Sequence, residues 1–558
     1  MPTAPIRQAA AGFGFALALL SAAVAAEEPS PTVALKILAI NDFHGNLKPP
    51  VGGFRERDPK DPGRTIGVPA GGAEYLASAV KTLAAQAPNH VFVAAGDLIG
   101  ASPLLSALFH DEPTIESLGL MGLEFAAVGN HEFDHGMAEL LRLQRGGCHA
   151  EGGCQGPAPF AGAKFQYLSA STVVQGSGKP VLPPYAIKRF EGIPVAFIGL
   201  TLESTPSIVV PSGVAGLVFR NEAETVNALV PDLRRQGVEA IVVLIHEGGE
   251  PTGGYDECPG ISGPIVDIVK KLDKAVDLVV SGHTHQAYNC RIDGRLVTSA
   301  HRYGTLLTEI DVQLDRKTGD VVKAEAHNRI VRHDQYPKDE AQTALLSRYE
   351  AVAAPLAQRA VGKLAQPYTV AFNQAGESTL GRLVADAQLA ATRGPERGGA
   401  QLAITNPGGL RAPLVPRAGG QVLFEDVFAC QPFSNTLVTL TLSGAQLLSL
   451  LEQQFDDEEG DAPRLLQVSR GLRYTWDARR PRGQRVLPGS LRLDGQPIAA
   501  QQRLRVTVNS FLASGGDGAG ILGRAGERLV GEPDADALAR YIAAGAAPID
   551  DERITRRR

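Results

Sequence analysis

Short apolar runs alternate with longer, helix-like segments from residue 33 to about residue 333. Six of these runs are predicted to be strands, and they cover residues 34–40, 90–95, 125–128, 194–200, 239–245 and 275–280. Strands that alternate with helical segments are typical of an α/β domain. Ligands of open α/β sheets collect where the strands end. The residues that follow each run are therefore the first place to look for chemistry.

Polar clusters follow five of the predicted strands. They are Asn41-Asp42-Phe43-His44, Gly96-Asp97, Gly129-Asn130-His131-Glu132, His246-Glu247 and Gly282-His283-Thr284-His285. The candidate metal ligands within them are oxygen and nitrogen donors without a thiolate: Asp42, His44, Asp97, Asn130, His246, His283 and His285. One catalytic zinc needs only three or four ligands. The set therefore predicts two metal ions, with one carboxylate bridging them.

A single cluster of this kind is weak evidence, because a histidine at a strand end is often only a hydrogen-bonded loop residue. The occurrence of all five clusters in this order argues strongly against that interpretation. Two ions about 3.5–4 Å apart can stabilise both oxygens of an in-line displacement at phosphorus. The pattern therefore favours phosphoester hydrolysis.

The rest of the chain is predicted to form a connector and a smaller domain. A helix is expected at residues 339–360, and Pro355 should kink it. The resulting division is 1–26 for a signal peptide, 27–335 for the first domain, 336–361 for the linker helix, 362–550 for the second domain and 551–558 for a basic tail. We expect that tail, which ends in three arginines, to fray.

The composition of the chain and its first residues indicate the compartment in which the protein works. The chain has 558 residues, of which 20% are charged, and its net charge of −6 gives no overall attraction to nucleic-acid polymers or anionic lipid. Arg7 precedes an apolar stretch at residues 9–26 that ends in small residues, as in a secretory signal. An uncleaved anchor is the alternative, since the stretch nearly matches a membrane span. A cleaved signal predicts a periplasmic or secreted protein with no membrane insertion afterwards.

The five cysteines suit an exported protein. We expect disulfides Cys148–Cys154 and Cys258–Cys290, because each joins segments close in sequence and export supplies an oxidising compartment. Cys430 is left as a buried thiol. Zinc binding is a weaker alternative for the close pair, which lacks a companion pair.

The ordered motifs resemble those of the calcineurin-like metallophosphoesterases, and more narrowly the 5′-nucleotidase family. The resemblance extends through Asn406-Pro-Gly-Gly-Leu-Arg411, Gln431-Pro-Phe433 and the glycine-rich segment from Asn509 to Gly518. It implies an αββα sandwich, a kinked helical linker and a smaller α+β substrate-binding domain. One metal would be held by Asp42, His44, Asp97 and His285. The other would be held by Asp97, Asn130, His246 and His283.

The resemblance also assigns catalytic and substrate-binding roles. His131 is similar to the family's catalytic histidine, and Asp134 to the carboxylate that orients it. In the second half, Asn406 and Arg411 match phosphate contacts. Phe433 and Phe511 resemble a pair that stacks on a nucleobase, and Asp517 resembles a ribose-hydroxyl acceptor. Without the resemblance, Asn406 would be a turn residue and either phenylalanine a core residue.

One position departs from the family pattern. Many relatives carry an arginine just before the segment that begins at Glu377, whereas Gly376 stands there, and no arginine lies between Lys363 and Arg382. One phosphate-neutralising cation is therefore missing. This weakens the expected preference for a simple 5′-monophosphate.

These features together predict an exported phosphohydrolase with two divalent ions (Zn, Mn, Co or Fe) that acts on nucleotides, with 5′-nucleotidase as the leading activity. The alternatives on the same scaffold are a 2′,3′-cyclic phosphodiesterase/3′-nucleotidase and a UDP-sugar hydrolase. A thiosulfohydrolase fits less well, because the aromatic pair and Asp517 suit a nucleoside. An inactive nucleotide-binding surface protein is disfavoured by the intact ligand set.

Overall fold

The computed structural model describes residues 1, 3–4, 30–58, 60–150, 152–455, 465–549 and 551–557. The expected signal sequence at residues 9–26 lies outside the described residues. None of the described helices has the length and apolar content needed to cross a membrane.

The described part of the first domain contains sixteen strands and seven α-helices. Its strands are β1 (Thr32–Ile40), β2 (Phe54–Asp58), β3 (Asp61–Val68), β4 (His90–Ala94), β5 (Leu123–Ala127), β6 (Gln166–Leu168), β7 (Thr172–Val174), β8 (Tyr185–Phe190), β9 (Ile193–Thr201), β10 (Leu217–Phe219), β11 (Ala240–His246), β12 (Leu278–Ser281), β13 (Ala287–Ile292), β14 (Arg295–Ala300), β15 (Leu306–Asp315) and β16 (Val321–Ile330). Its helices are α1 (Ala73–Ala84), α2 (Leu104–Ala107), α3 (Glu112–Met121), α4 (Gly136–Arg145), α5 (Thr205–Ile208), α6 (Glu222–Arg235) and α7 (Pro264–Lys271).

Two six-stranded sheets face each other at the centre of this domain. Their strand orders are β16-β15-β1-β4-β5-β6 and β13-β14-β12-β11-β9-β8. Alternate residues of β1 point to opposite faces, so Ile37 joins the core between the sheets while Leu38 packs beneath the helices. Helices cover both outer faces. The predicted αββα sandwich is confirmed.

Helix α8 (Glu340–Ala357) follows the sandwich and contains Pro355. Its buried residues include Leu345 and Tyr349, and they pack into the core of the first domain. Val352, on the same helix, is 48% exposed.

The second domain is a smaller α+β unit, also as expected. Its strands are β17 (Ala360–Lys363), β18 (Leu402–Thr405), β19 (Gln421–Leu423), β20 (Thr436–Ser443), β21 (Gln467–Val468), β22 (Leu472–Trp476), β23 (Arg492–Leu493), β24 (Gln496–Pro497), β25 (Arg503–Asn509), β26 (Gly526–Pro533) and β27 (Ile554–Arg556). Its helices are α9 (Thr379–Thr392), α10 (Phe424–Cys430), α11 (Gly444–Gln453), α12 (Ser510–Ala513), α13 (Gly520–Gly523) and α14 (Asp534–Ala543). A five-stranded sheet, β21-β18-β25-β20-β26, forms its centre.

The expected frayed tail is instead part of the fold. Strand β27 pairs in parallel with β22, and Ile554 is fully buried. The Arg553 guanidinium, 1% exposed, donates to both carboxylate oxygens of Asp386 at 2.8 Å. The run of arginines near the end of the chain does not indicate this role, because the partner Asp386 lies far away in the sequence.

Two disulfides join Cys148 to Cys154 and Cys258 to Cys290, and Cys430 is a buried free thiol. These are the pairs expected from the sequence. The second bond fastens the loop after β11 to the edge strand β13.

Candidate metal centre and active site

The predicted ligands meet at the carboxyl ends of β1, β4, β5, β11 and β12. Among the described residues, three groups of donor side chains each have their atoms within 4.8 Å of one another: Asp42, His44 and His285; His44, Asp97 and His131; and Asp97, His246 and His283. Parallel strands bring these residues together although they lie up to 243 positions apart (from 42 to 285).

In the first group, imidazole nitrogens crowd around one carboxylate. Nε2 of His285 lies 3.2 Å from Asp42 Oδ1 and 3.0 Å from Nε2 of His44. Nδ1 of His44 donates to the carbonyl of Gly100 at 2.9 Å. Because a carbonyl can only accept, the neutral ring presents the lone pair of Nε2 towards Asp42.

Asp97 connects this group to the next. Its Oδ2 lies 3.7 Å from Nε2 of His44 and 2.9 Å from Nε2 of His246. His246 donates through Nδ1 to the carbonyl of Ala95 at 2.8 Å, which again leaves Nε2 facing the centre. Asp97 therefore has the position expected of a carboxylate shared by two ions.

Buried polar atoms without hydrogen bonds show that the centre fits cations. Asp42 Oδ1, Asn130 Oδ1 and His246 Nε2 are buried and have no hydrogen-bond partner among the described residues. A buried polar atom left without a partner is costly. Oxygen and imidazole donors that converge in this way suit divalent ions.

The backbone at the centre is strained. Asp42, His44, Asp97, His283 and His285 all have φ between +46° and +70°. L-residues rarely adopt this conformation, and it is concentrated at functional sites. Gly129 is required as well, because a Cβ there would lie 2.1 Å from Asp97 Oδ1.

Burial disfavours the charged form of the two acidic candidate ligands, Asp42 and Asp97. Interactions with neighbouring side chains outweigh this effect of burial. The neighbouring His285 holds the pKa of Asp42 well below its ordinary value despite its complete burial. The pKa of Asp97 is lowered in the same way by His246 and His131. Both carboxylates are therefore charged at neutral pH, as cation ligands must be.

His131 and Asp134 form a pair beside this centre. Nδ1 of His131 lies 2.7 Å from Asp134 Oδ2, and the backbone N–H of His131 donates to Asp97 Oδ1 at 3.0 Å. Burial alone would lower the pKa of His131, but the charges of Asp134 and Asp97 raise it above its ordinary value. The imidazole is therefore suited to donate a proton.

Glu132 belongs to one of the strand-end clusters, but no role for it is predicted from the sequence. Its buried carboxylate accepts hydrogen bonds from the backbone N–H groups of Gly129, Asp97 and Leu98 at 2.6, 3.0 and 2.8 Å. It thereby joins the loop after β4 to the loop after β5. Its side chain thereby positions the loop backbone that carries Asp97.

Two of the predicted substrate residues cross from the second domain to this centre. Arg411 Nη2 lies 3.3 Å from Nε2 of His44. The Phe433 ring stacks on His131 with centroids 5.8 Å apart, and the Arg411 guanidinium lies 5.9 Å from the Phe433 ring centroid. The site is therefore built from both domains.

The other substrate-binding candidates lie within the second domain. The side chain of Asn406 donates to Asp517 Oδ2 at 2.7 Å and accepts from Asn509 at 2.9 Å. Phe511 is half-buried, lies against Gly516 and packs on the edge of the domain core. No ring contact joins Phe511 to Phe433 within the described part of the chain.

The segment around Gly376 packs within the second domain. The Gly376 carbonyl accepts from the side chain of Gln467 at 2.9 Å. The next arginine, Arg382, directs its guanidinium to the carbonyl of Asp551. Neither residue replaces the missing family arginine at the metal centre.

Comparisons with known proteins agree with this architecture. The profile of the calcineurin-like phosphoesterases matches residues 35–287, and that of the 5′-nucleotidase C-terminal domain matches residues 360–524. The crystal structure of a 5′-nucleotidase precursor from Thermus thermophilus superposes with a TM-score of 0.76 at 27% identity, covering 94% of this chain and 99% of that one.

Two curated bacterial proteins are similar over most of the chain. Endonuclease YhcR of Bacillus subtilis is 33% identical over 93% of this chain, which spans 40% of that protein's length. Cell wall protein Lmo0130 of Listeria monocytogenes is 31% identical over 93% of this chain and 68% of its own length.

The fold and the donor set define the class of protein: a calcineurin-like phosphoesterase, that is, a metal-dependent phosphoester hydrolase of a class that uses a dimetal centre. With its second domain, the chain belongs to the 5′-nucleotidase family.

Proposed function

We propose that this protein is an exported dimetal phosphohydrolase that removes phosphate from nucleotides, with nucleoside 5′-monophosphates as its leading substrates. The observation that carries the proposal is the approach of two residues of the second domain to the centre. Arg411 lies 3.3 Å from the candidate ligand His44, and the Phe433 ring centroid lies 5.8 Å from that of His131. A guanidinium recognises phosphate, and an aromatic ring can stack on a base. Both substrate contacts therefore border the same centre.

The ligand sets follow the assignment that the family implies. Asp42, His44, Asp97 and His285 would hold one ion, and Asp97, Asn130, His246 and His283 the other. Two divalent ions supply Lewis-acid stabilisation of the phosphoryl charge when they are bound.

The remaining roles belong to the chain itself. Arg411, with Asn406, neutralises and orients the phosphate. His131 protonates the leaving oxygen, while Asp134 keeps its ring in the productive tautomer. Phe433 and Phe511 hold the base, and Asp517 accepts from the ribose.

Export is part of the proposal. The sequence of the first 26 residues, two disulfides and a relative named as a cell wall protein all support an oxidising, extracytoplasmic location. Periplasm and secretion both satisfy these observations.

Phosphodiester cleavage at the same centre is the second candidate. It is favoured by the 33% identity to a protein named as an endonuclease and by Gly376 in place of a cation. A diester group carries one charge fewer than a terminal phosphate, so it has less need of that cation.

The test is phosphate release from a nucleotide panel by the full chain, stripped by chelation and reloaded separately with Mn, Co, Zn or Mg. The panel contains 5′- and 3′-monophosphates, a 2′,3′-cyclic monophosphate and a UDP-sugar, with bis(p-nitrophenyl) phosphate as a diester. We expect metal-dependent turnover that is highest with 5′-monophosphates. Turnover by the stripped protein would contradict the dimetal mechanism, and preference for a diester would select the second candidate.

A further inference from the structure

Arg302 occupies the edge of the sandwich that carries the ligands, although no motif pointed to it. It lies in the loop between β14 and β15. Asn41 holds this loop: its side chain donates to the carbonyl of His301 and accepts from the N–H of Ala300, both at 2.6 Å. The backbone of Tyr303 donates to the carbonyl of Asp42 at 2.7 Å. The loop is thus fixed directly to a predicted metal ligand.

The conformation of this loop is strained. His301 and Tyr303, on either side of Arg302, have φ of 62° and 61°. Such conformations persist only where the surrounding structure imposes them. Arg302 is therefore presented by a rigid backbone.

The guanidinium of Arg302 lies beside the centre, against the Nδ1 edge of the His285 ring. Its Nη1 lies 3.1 Å from Nδ1 of His285, and its central carbon lies 4.8 Å from the centroid of the Tyr303 ring. The side chain is half-buried, and no carboxylate of the described residues lies within ion-pair distance of it. When a histidine binds a cation through Nε2, its Nδ1 carries the proton and does not accept. All five N–H donors of Arg302 are then available to an anion.

Arg411 approaches the same donor group from the second domain. It lies 3.3 Å from His44, whose Nε2 is 3.0 Å from Nε2 of His285, and it too lacks a carboxylate partner in the described chain. Two unpaired guanidinium groups, one from each domain, therefore border adjacent imidazoles of one donor group. Planar guanidinium groups recognise phosphate oxygens in a bidentate manner.

We infer that Arg302 binds the phosphoryl oxygens of the substrate opposite Arg411 and thereby favours terminal, dianionic phosphate over diesters. The inference rests on the proposed function and deepens it. Arg302 supplies from the first domain the positive charge that Gly376 does not supply from the second.

The competing role for Arg302 is purely structural, as a support for the His285 ring. The two roles predict different effects on the hydrolysis of monoesters and diesters. A phosphate contact affects a dianionic monoester more than a monoanionic diester. A support for a metal ligand affects both esters equally and lowers metal content.

The experiment compares Arg302→Gln and Arg302→Lys with wild type in the full, Mn-loaded chain. Arg329→Gln is the matched control, because Arg329 lies in the same domain and pairs with Glu309 away from the centre. The substrates are p-nitrophenyl phosphate and bis(p-nitrophenyl) phosphate. Metal content is measured for each variant, and binding of inorganic phosphate is measured by calorimetric titration.

Loss of one charge-assisted hydrogen bond typically lowers affinity about tenfold to a hundredfold. For Arg302→Gln we expect such a loss in kcat/KM for the monoester and in phosphate affinity, against a change of less than about threefold for the diester. Metal content should be unchanged, and Arg302→Lys should recover part of the loss. An equal loss on both esters, lower metal content, or an unchanged monoester rate would overturn the inference.

These outcomes are separable from failure of the proposed function. A wild-type protein that hydrolyses no nucleotide would refute the nucleotidase proposal. The comparison of the two p-nitrophenyl esters and the phosphate titration would still test Arg302.

Discussion

At the scale of single residues, backbone groups orient the candidate metal ligands. The carbonyls of Gly100 and Ala95 fix the tautomers of His44 and His246, and the backbone N–H of His283 donates to Asp42 Oδ2 at 2.9 Å. Such partners of a ligand set its orientation and basicity. The geometry of the centre therefore depends on the loop backbone as much as on the donors.

His131 should contribute to turnover rather than to metal binding. Its ring is held by Asp134, and the charges of Asp134 and Asp97 raise its pKa, which favours the protonated form that a proton donor needs. Loss of a general acid costs about 10²–10⁴-fold in rate. We expect His131→Ala to show that loss at unchanged metal content, and Asp134→Asn a smaller one, in steady-state assays with metal analysis. A His131→Ala protein that loses its metal but turns over normally once reloaded would disprove the assignment.

The convergence of six of the seven candidate donors could be predicted, because each lies in a short motif directly after an apolar run. Glu132 and Arg302 could not be assigned a role in this way. The carboxylate of Glu132 acts on backbone groups of another loop, and Arg302 follows a strand without any accompanying motif. Their roles depend on which loops the folded sheets bring together.

At the scale of elements, the last strand shows how a local pattern can mislead. The run of arginines predicts a solvated tail, but Arg553 lies buried against Asp386, and β27 completes a four-stranded sheet with β22, β23 and β24. The α/β order of the first domain was predictable from periodicity. This long-range pair had no local signal.

Arg553→Ala should destabilise the second domain strongly. Removing one partner from a buried ion pair typically costs about 3–5 kcal/mol, because it leaves an uncompensated charge. Arg470→Ala is the matched control, since Arg470 approaches the same Asp386 at 3.8 Å with a side chain that is 50% exposed. Chemical denaturation should show a large loss of unfolding free energy for Arg553→Ala and a small loss for Arg470→Ala. Equal losses would mean that β27 contributes little to the domain.

A carboxyl group in helix α14 makes the stability of the second domain depend on pH. Asp534, at its first turn, is 2% exposed, and burial raises the pKa of its carboxyl from 3.8 to about 7. In the unfolded chain the carboxyl ionises near pH 3.8, whereas in the fold it stays protonated up to about pH 7. Its contribution to stability is therefore complete below pH 3.8 and is lost as the pH rises to about 7.

Asp534→Asn should flatten this dependence. Between pH 5 and pH 7 we expect wild type to lose about 2–3 kcal/mol of unfolding free energy that the variant does not lose. Asp536→Asn on the same helix, where the carboxylate is 49% exposed, is the control. The measurement is denaturant unfolding across this pH range. Parallel curves for wild type and Asp534→Asn would show that this carboxyl does not titrate between the two states.

At the scale of the whole molecule, the proposed active site lies where the two domains meet. The first domain supplies the donors, and the second supplies Arg411 and Phe433 at their edge. Leu104 of the first domain also packs into a core of the second. In the proposed function, a substrate held by both domains would be aligned for in-line attack, which converts binding energy into positioning.

Phe511 tests whether the second domain recognises the base. Its ring is half-buried at the edge of a core and faces the glycine-rich loop that carries Asp517. As part of a base clamp, Phe511→Ala should raise KM for nucleotides by about tenfold or more, since stacking is worth about 1–3 kcal/mol per base. Hydrolysis of bis(p-nitrophenyl) phosphate should change little, because this diester carries no nucleobase.

Phe428→Ala provides the contrast, because Phe428 is 8% exposed in a core of the same domain. Truncation of a buried phenylalanine typically costs about 3–5 kcal/mol and should reduce both activities together through loss of folded protein. Thermal melts beside both assays separate the two cases. If Phe511→Ala behaves like Phe428→Ala, with a large drop in Tm and equal loss on both substrates, Phe511 is a core residue and Phe433 lacks its partner in the clamp.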